Sequence, residues 1–244
     1  MTLQKPEEAT MEATASPPPH PEESPRKPAR IEEVHSPIVV GSQRTEIDQA
    51  PGAFTDSYRR HHAFAFSGLV EPSFFARLLQ LCNAAQFIAD AKTDIAHRQS
   101  ETPGIAGRSL ALVLQRKNLM QWLESATGCE PLQSTFGRIV QISPGDAPRL
   151  NWHDDLPEDS SRRLGITINL SENAYEGGLF ELREKKTGKI LMRHRHEKLG
   201  SALIFDVSDK LEHRVWPVTG GGPRRIYTGW FRKASVPDAQ RTSR

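Results

Sequence analysis

The sequence predicts a mainly β protein of the α+β class, with short strands closing a barrel or sandwich in the C-terminal half and helices buttressing it from the N-terminal half. Three observations lead there. Hydrophobic residues recur with helical spacing in two stretches before Gly128 and with a period near two after it. Eight strand-like runs follow, from "FGRIVQIS" to "RRIYTGWF", each bounded by Gly, Pro, Asn, Asp or Ser. No 20–50-residue repeat marks a solenoid or propeller.

Residues 1–50 hold eight prolines and no Phe, Trp or Tyr. Such a segment buries too little apolar surface to offset its ordering entropy, so it is expected to be a disordered acidic tail. Residues 51–128 are expected to be the helical part. "HHAFAFS" reads as a short strand, and Pro72 suits the first turn of a following helix. Phe74, Leu78, Leu81, Cys82 and Ala85 give that helix one apolar face. "QSETPGIAGR" reads as a loop. A second helix fits Lys117–Thr127, with Leu119, Trp122, Leu123 and Ala126 on one side and Gly128 as its stop. Residues 129–236 are the expected β core, and 237–244 a flexible tail.

The formal charge of +2 divides into −4 over residues 1–50 and +6 over the rest. That excess is too small for a nucleic-acid footprint and suits small anions equally well. Cys82 and Cys129 fit no zinc or redox spacing and read as free thiols. No secretory pattern opens the chain and no apolar run nears the ~20 residues of a membrane span, so the expected setting is cytoplasmic, with no membrane partner.

The stretch "LNWHDDLP" carries the chemistry. Alternate strand residues share a face, so His153 and Asp155 point one way and Asp154 the other. Taken alone, these residues fit a polar surface loop better than a metal site. His213, on a later strand in "LEHRVWPV", supplies a third donor. Two histidines and a carboxylate on one face of an octahedral ion leave three positions open, as in non-haem Fe(II) oxygenases. Zinc also takes such ligands, though no HExxH-type base accompanies them. Arg224, in "GGGPRRIYTGWF", shares a strand face with Ile226, Thr228 and Trp230. If that face is interior, the guanidinium needs an anionic partner. A keto-diacid that chelates the metal at one end and meets Arg224 at the other satisfies both demands, and 2-oxoglutarate has that shape.

With these residues the chain resembles the Fe(II)/2-oxoglutarate-dependent dioxygenases, in particular their prolyl-hydroxylase-like branch. The resemblance spans about residues 64–233 and rests on His153-Asp154-Asp155, "INLSENAYEGGLFEL", "GSALIFDVSDKLEH" and "PRRIYTGWF". It implies a double-stranded β-helix (jelly-roll) barrel. It also implies Fe(II) on His153, Asp155 and His213, 2-oxoglutarate paired with Arg224, O₂ as oxidant and ascorbate as a candidate reductant. The step from Arg224 to Trp230 matches the family and favours Arg224 over Arg225. Ser143 stands where the family often has a tyrosine before "PG". Asn169 stands at a tyrosine that helps hold the far carboxylate, so Asn169 or Thr167 is the expected donor there. Asp155 argues against a halogenase, which has a small residue at that position.

The implied function is hydroxylation of an unactivated C–H in an amino-acid, peptide or small-metabolite substrate. The alternatives are a protein side-chain hydroxylase, prolyl by analogy and docked through the tail, and a catalytically silent barrel that binds a partner or anion. Other features have plainer readings. "REKKTGKILMRHRH" reads as a solvated basic hairpin. His194 and His196 share a strand face with no carboxylate near them on that face, and read as surface residues. Trp152 and Trp216 fit a pocket wall and ordinary packing equally.

Overall fold

A computed structural model describes residues 30–90, 98–145, 150–156 and 159–234. It begins with three short strands, β1 (Glu33–His35), β2 (Ile38–Val40) and β3 (Thr45–Ile47). Helix α1 (Gly52–His61), strand β4 (Ala63–Ser67) and helix α2 (Pro72–Ala84) come next. A hairpin of β5 (Gln86–Ala89) and β6 (Gln99–Thr102) leads to helices α3 (Ile105–Leu114) and α4 (Lys117–Thr127). The rest is strand: β7 (Leu132–Ile142), β8 (Leu150–His153), β9 (Arg162–Asn169), β10 (Tyr175–Gly177), β11 (Phe180–Glu184), β12 (Ile190–His194), β13 (Ala202–Asp206), β14 (Leu211–Val215), β15 (Val218–Gly221) and β16 (Arg224–Lys233).

Among the described residues these strands form an eight-stranded sheet, β1-β4-β13-β9-β16-β7-β6-β5, facing a four-stranded sheet, β12-β11-β14-β8. Strands β7, β16, β9 and β13 against β8, β14, β11 and β12 make the double-stranded β-helix that the resemblance implies. The eight strand runs read after Gly128 all appear. β9 is buried along most of its length, which explains its nearly continuous apolar reading.

Two cores follow from this layering. Helices α1–α4 cover the outer face of the large sheet, packing Phe54, Leu78, Leu110 and Trp122 against Phe64, Ile139, Ile166 and Tyr227. Inside the barrel Leu203 and Phe205 of the large sheet meet Phe180, Leu182, Met192 and Leu211 of the small one. α4 is as expected: Gly128 ends it at φ 70°, its N–H donating to Glu124 O. α2 starts at Pro72 and buries Phe74, Leu78 and Cys82, while Leu81 turns outward.

Two expectations change. Residues 30–50, assigned to the disordered tail, are folded where described; Ile38 and Val40 are fully buried. The proline count was dominated by residues ahead of Ile31, and averaging hid the "IVV" strand. Residues 1–29 and 235–244, the remaining calls on the tails, lie outside the described residues. "QSETPGIAGR" is not a loop: Gln99–Thr102 is β6, and α3 starts at Ile105. Pro103 and Gly104 form only the short joint between them, and Gly107 stays small because a Cβ there would meet the β7 backbone at Arg138 Cα, 3.2 Å away.

The N-terminal segment occupies the seam between the sheets. β1 runs parallel to β4 at one edge of the large sheet. Just before it, Arg30 bridges to Arg193 of β12, the edge strand of the small sheet, and Ile31 N–H donates to Arg193 O at 3.2 Å.

Candidate metal and co-substrate site

Antiparallel pairing of β14 with β8 sets His213 directly opposite His153. Their rings lie 4.2 Å apart, centre to centre. Asp155 sits in the bend just past the end of β8 rather than within the strand, and reaches both rings. Its Oδ1 is 3.8 Å from His153 Nε2 and its Oδ2 is 3.8 Å from His213 Nε2. One donor atom from each of the three lies within 4.8 Å of the others. Asp154 points away: it pairs with Lys185 and accepts the Leu156 N–H.

Each of these side chains is held from behind. His153 Nδ1–H donates to Asn151 O at 2.8 Å, which leaves Nε2 with a free lone pair facing Asp155. Trp230 Nε1–H donates to Asp155 Oδ2 at 2.6 Å. Arg162 donates to the Asp155 carbonyl at 3.0 Å, and its guanidinium lies over the Trp230 ring at 4.0 Å. His213 is packed between Phe180, stacked at 5.3 Å, and Phe205 at 5.0 Å. That burial, with His153 beside it, lowers the His213 pKa to about 3, so the ring is neutral and able to ligate. Two imidazoles and a carboxylate, with supporting hydrogen bonds on His153 and Asp155, fit a divalent metal.

Arg224 is buried and its Nε–H has no acceptor. Among the described residues it makes no side-chain hydrogen bond or ion pair. A buried guanidinium in that state is a site for an anion. Gly178 makes room for it: at φ 63°, a Cβ there would meet Arg224 Cδ at 2.8 Å.

The two expected helpers of Arg224 are both buried. Asn169, however, has its amide engaged at both ends by backbone: Nδ2–H donates to Lys198 O at 2.9 Å and Oδ1 accepts the Ser171 N–H at 3.1 Å. It braces the end of β9. Thr167 is hydrogen-bonded to His196, Oγ1 to Nε2, at 2.9 Å.

His196 and His194 are not surface residues. Both are buried, at 5% and 2% exposure, and Glu33 brings a carboxylate to them from β1. Burial holds His194 down to about 4 and His196 well below the usual imidazole range, so both are neutral. The indole of Trp152 lies under Arg183 and Arg214, at 3.9 and 4.4 Å, and Arg214 also covers Trp216. That ladder packs Trp152 and Trp216 beside arginines of the small sheet. Arg162 was missed altogether: "DSSRRLG" reads as a polar turn, and nothing local marks one of two arginines as buried.

Fold and site together define a double-stranded β-helix protein with a His-Asp-His metal constellation and a buried, unpaired arginine. Residues 138–232 match the model of the 2OG-Fe(II) oxygenase superfamily, the resemblance the motifs had indicated. That family implies Fe(II), 2-oxoglutarate and O₂. Solved structures with this fold include an oxidoreductase of the 2OG-Fe(II) oxygenase family from Burkholderia pseudomallei, 12% identical over 84% of this chain and 96% of that one, TM-score 0.61. A Pseudomonas putida prolyl-4-hydroxylase is 18% identical over 75% of this chain and 98% of its own, TM-score 0.57. A Trichoplax adhaerens prolyl hydroxylase, solved with a hypoxia-inducible-factor peptide, is 14% identical over 75% and 88%, TM-score 0.56. No curated protein sequence matches. No described helix is long and apolar enough to cross a membrane.

Proposed function

We propose that the protein is an Fe(II)/2-oxoglutarate-dependent hydroxylase acting on an unactivated C–H of an amino-acid, peptide or small-metabolite substrate. His153, Asp155 and His213 hold the iron. Arg224 pairs bidentately with the far carboxylate of 2-oxoglutarate. With O₂, the bound iron and co-substrate supply the oxidising chemistry, 2-oxoglutarate leaving as succinate and CO₂.

The chain's own residues orient and exclude water. Trp230 fixes one carboxylate oxygen of Asp155 and leaves the other to the metal. The Asn151 carbonyl fixes the His153 tautomer. Phe180 and Phe205 wall the His213 side with apolar rings. Arg224, prevented by Gly178 from losing its space, sets how far the co-substrate enters.

The observation that carries this reading is the convergence of three donors within 4.8 Å in a barrel that also buries an unpaired Arg224. Purified protein supplied with Fe(II), ascorbate, 2-oxoglutarate and O₂ should release succinate, and Asp155→Ala should reduce release at least about a hundredfold, the scale of losing a directly acting group. Equal release from both proteins defeats the assignment. A panel of amino acids and prolyl peptides, scored by substrate-stimulated succinate release and a 16 Da mass gain, identifies the substrate class.

A further inference from the structure

Glu33, His194 and His196 present one donor atom each within 4.8 Å of the others, in a place separate from the His153 constellation. His194 Nε2 is 3.4 Å from His196 Nδ1 and 3.8 Å from Glu33 Oε1. Zinc–nitrogen bonds of about 2.0–2.1 Å in a tetrahedron put neighbouring donors about 3.3–3.4 Å apart, so the two rings already have a zinc spacing. The carboxylate needs only a small side-chain rotation to join them.

The surroundings also suit a ligand set. Glu33 Oε1 is buried and has no hydrogen-bond partner, a costly state for a carboxylate oxygen. His194 has a backbone hydrogen bond to Ile31. His196 Nε2 is engaged by Thr167 Oγ1, which leaves Nδ1 for the cluster. Both are the outer contacts that fix the tautomers of metal-bound histidines. Ser201 Oγ, 2.7 Å from His196 Nδ1, occupies that nitrogen without an ion and lies close enough to bond a fourth ligand once one binds. Glu33 and the neighbouring Glu197 offset the ion's charge, while Arg224, Arg30 and Lys198 oppose it.

We infer that Glu33, His194 and His196 form a structural zinc site that locks the N-terminal strand across the barrel seam. Its position gives it that role. Glu33 belongs to β1, on the edge of the large sheet, and His194 closes β12, the edge of the small one. An ion there joins two sheet edges through side chains, alongside the Ile31 N–H bond to Arg193 O and the hydrogen bond between His194 and the Ile31 backbone. This site stands independently of the proposed oxygenase chemistry.

The test uses the full chain stripped of metal, with Zn²⁺ and Co²⁺ as probes. Wild type should bind two equivalents of Zn²⁺, and the His153→Ala/His213→Ala variant should keep one. Adding Glu33→Gln or His194→Ala to that variant should weaken the retained equivalent at least about tenfold. Glu33→Gln preserves shape, so circular dichroism separates lost binding from lost folding. Co²⁺ in the double-histidine variant should show the intense visible bands of a four-coordinate ion. Zn²⁺ should slow amide exchange over residues 31–35, and should fail to do so once Glu33 is glutamine. Failure of the double-histidine variant to take up Zn²⁺ at millimolar concentration means the cluster holds only a proton, and overturns the inference. Unchanged affinity in Glu33→Gln overturns it as well. A wild type that binds one equivalent, lost through Glu33 and not through His153 and His213, upholds this site and removes the other.

Discussion

Trp230 Nε1–H and Asp155 Oδ2 are joined at 2.6 Å, so a residue of the large sheet fixes the carboxylate that completes a constellation built on the small one. The bond leaves Asp155 one oxygen in a defined direction. Trp230→Phe keeps the aromatic stack on Phe136, at 6.1 Å, and removes only the donor. Metal affinity should fall about ten- to a hundredfold, the usual cost of losing such an outer contact. Mn²⁺ titration followed by electron paramagnetic resonance measures this. Affinity equal to wild type would show that Asp155 needs no such support.

Ile38 tests whether the N-terminal segment belongs to the fold. It is fully exposed to the core and closed to solvent, among the residues packed with Phe66 and Leu69. Ile38→Ala should lower unfolding stability by about 2–5 kcal/mol, as for other buried Ile-to-Ala changes. Urea titration gives the value. A change below about 0.5 kcal/mol, typical of surface sites, would return residues 30–50 to the status of a tail.

How legible all this was depended on how local each signal is. The barrel strands could be read because alternation and turn residues act over a few positions, as in "RLGITINLS". His153, Asp155, His213 and Arg224 could be read because each lies within a motif. The Glu33–His194–His196 cluster could not, since its carboxylate comes from a three-residue strand inside a proline-rich region and its partners follow far along the chain. Arg162 was hidden for a similar reason, because its burial comes from stacking on Trp230, seven strands' worth of chain away in sequence but adjacent through β9–β16 pairing. Asn169 was legible as buried but not as occupied, because Lys198 O and Ser171 N–H reach it only once β9 and its neighbouring loops are in place.

Glu130 gives a pH signature at the foot of the large sheet. The hydrogen bond from Lys233 Nζ at 3.0 Å, joined by one from Arg163 Nε at 2.8 Å, holds its pKa down to about 2 from the usual 4.5, against a smaller opposing effect of burial. A depressed carboxylate binds fewer protons in the folded than in the unfolded state. Its stabilisation is therefore whole above pH 4.5 and is lost as the pH falls toward 2. The side chain is 54% exposed, so solvent and salt screen the pair and the effect is small. Glu130→Gln should melt slightly below wild type at pH 7, and the gap should close on titration to pH 2–3. A gap that widens in acid would reverse the sign assigned here.

Arg224 separates stability from function. Its guanidinium is buried with an unsatisfied Nε–H, so the protein carries a desolvated charge in exchange for a binding site. Replacing it with an apolar side chain of similar length removes that cost. Arg224→Met should leave the urea midpoint of the ligand-free protein unchanged or raise it. The same change should abolish the response to 2-oxoglutarate. With Mn²⁺ present, 2-oxoglutarate at a hundred times its dissociation constant should stabilise wild type by about 2.7 kcal/mol. Arg224→Met should show almost none of this, and Arg224→Lys, which keeps the charge but loses the fork, should fall between. Thermal melts with and without ligand supply the comparison. A Met variant that still gains stability from 2-oxoglutarate would place the far carboxylate elsewhere in the barrel.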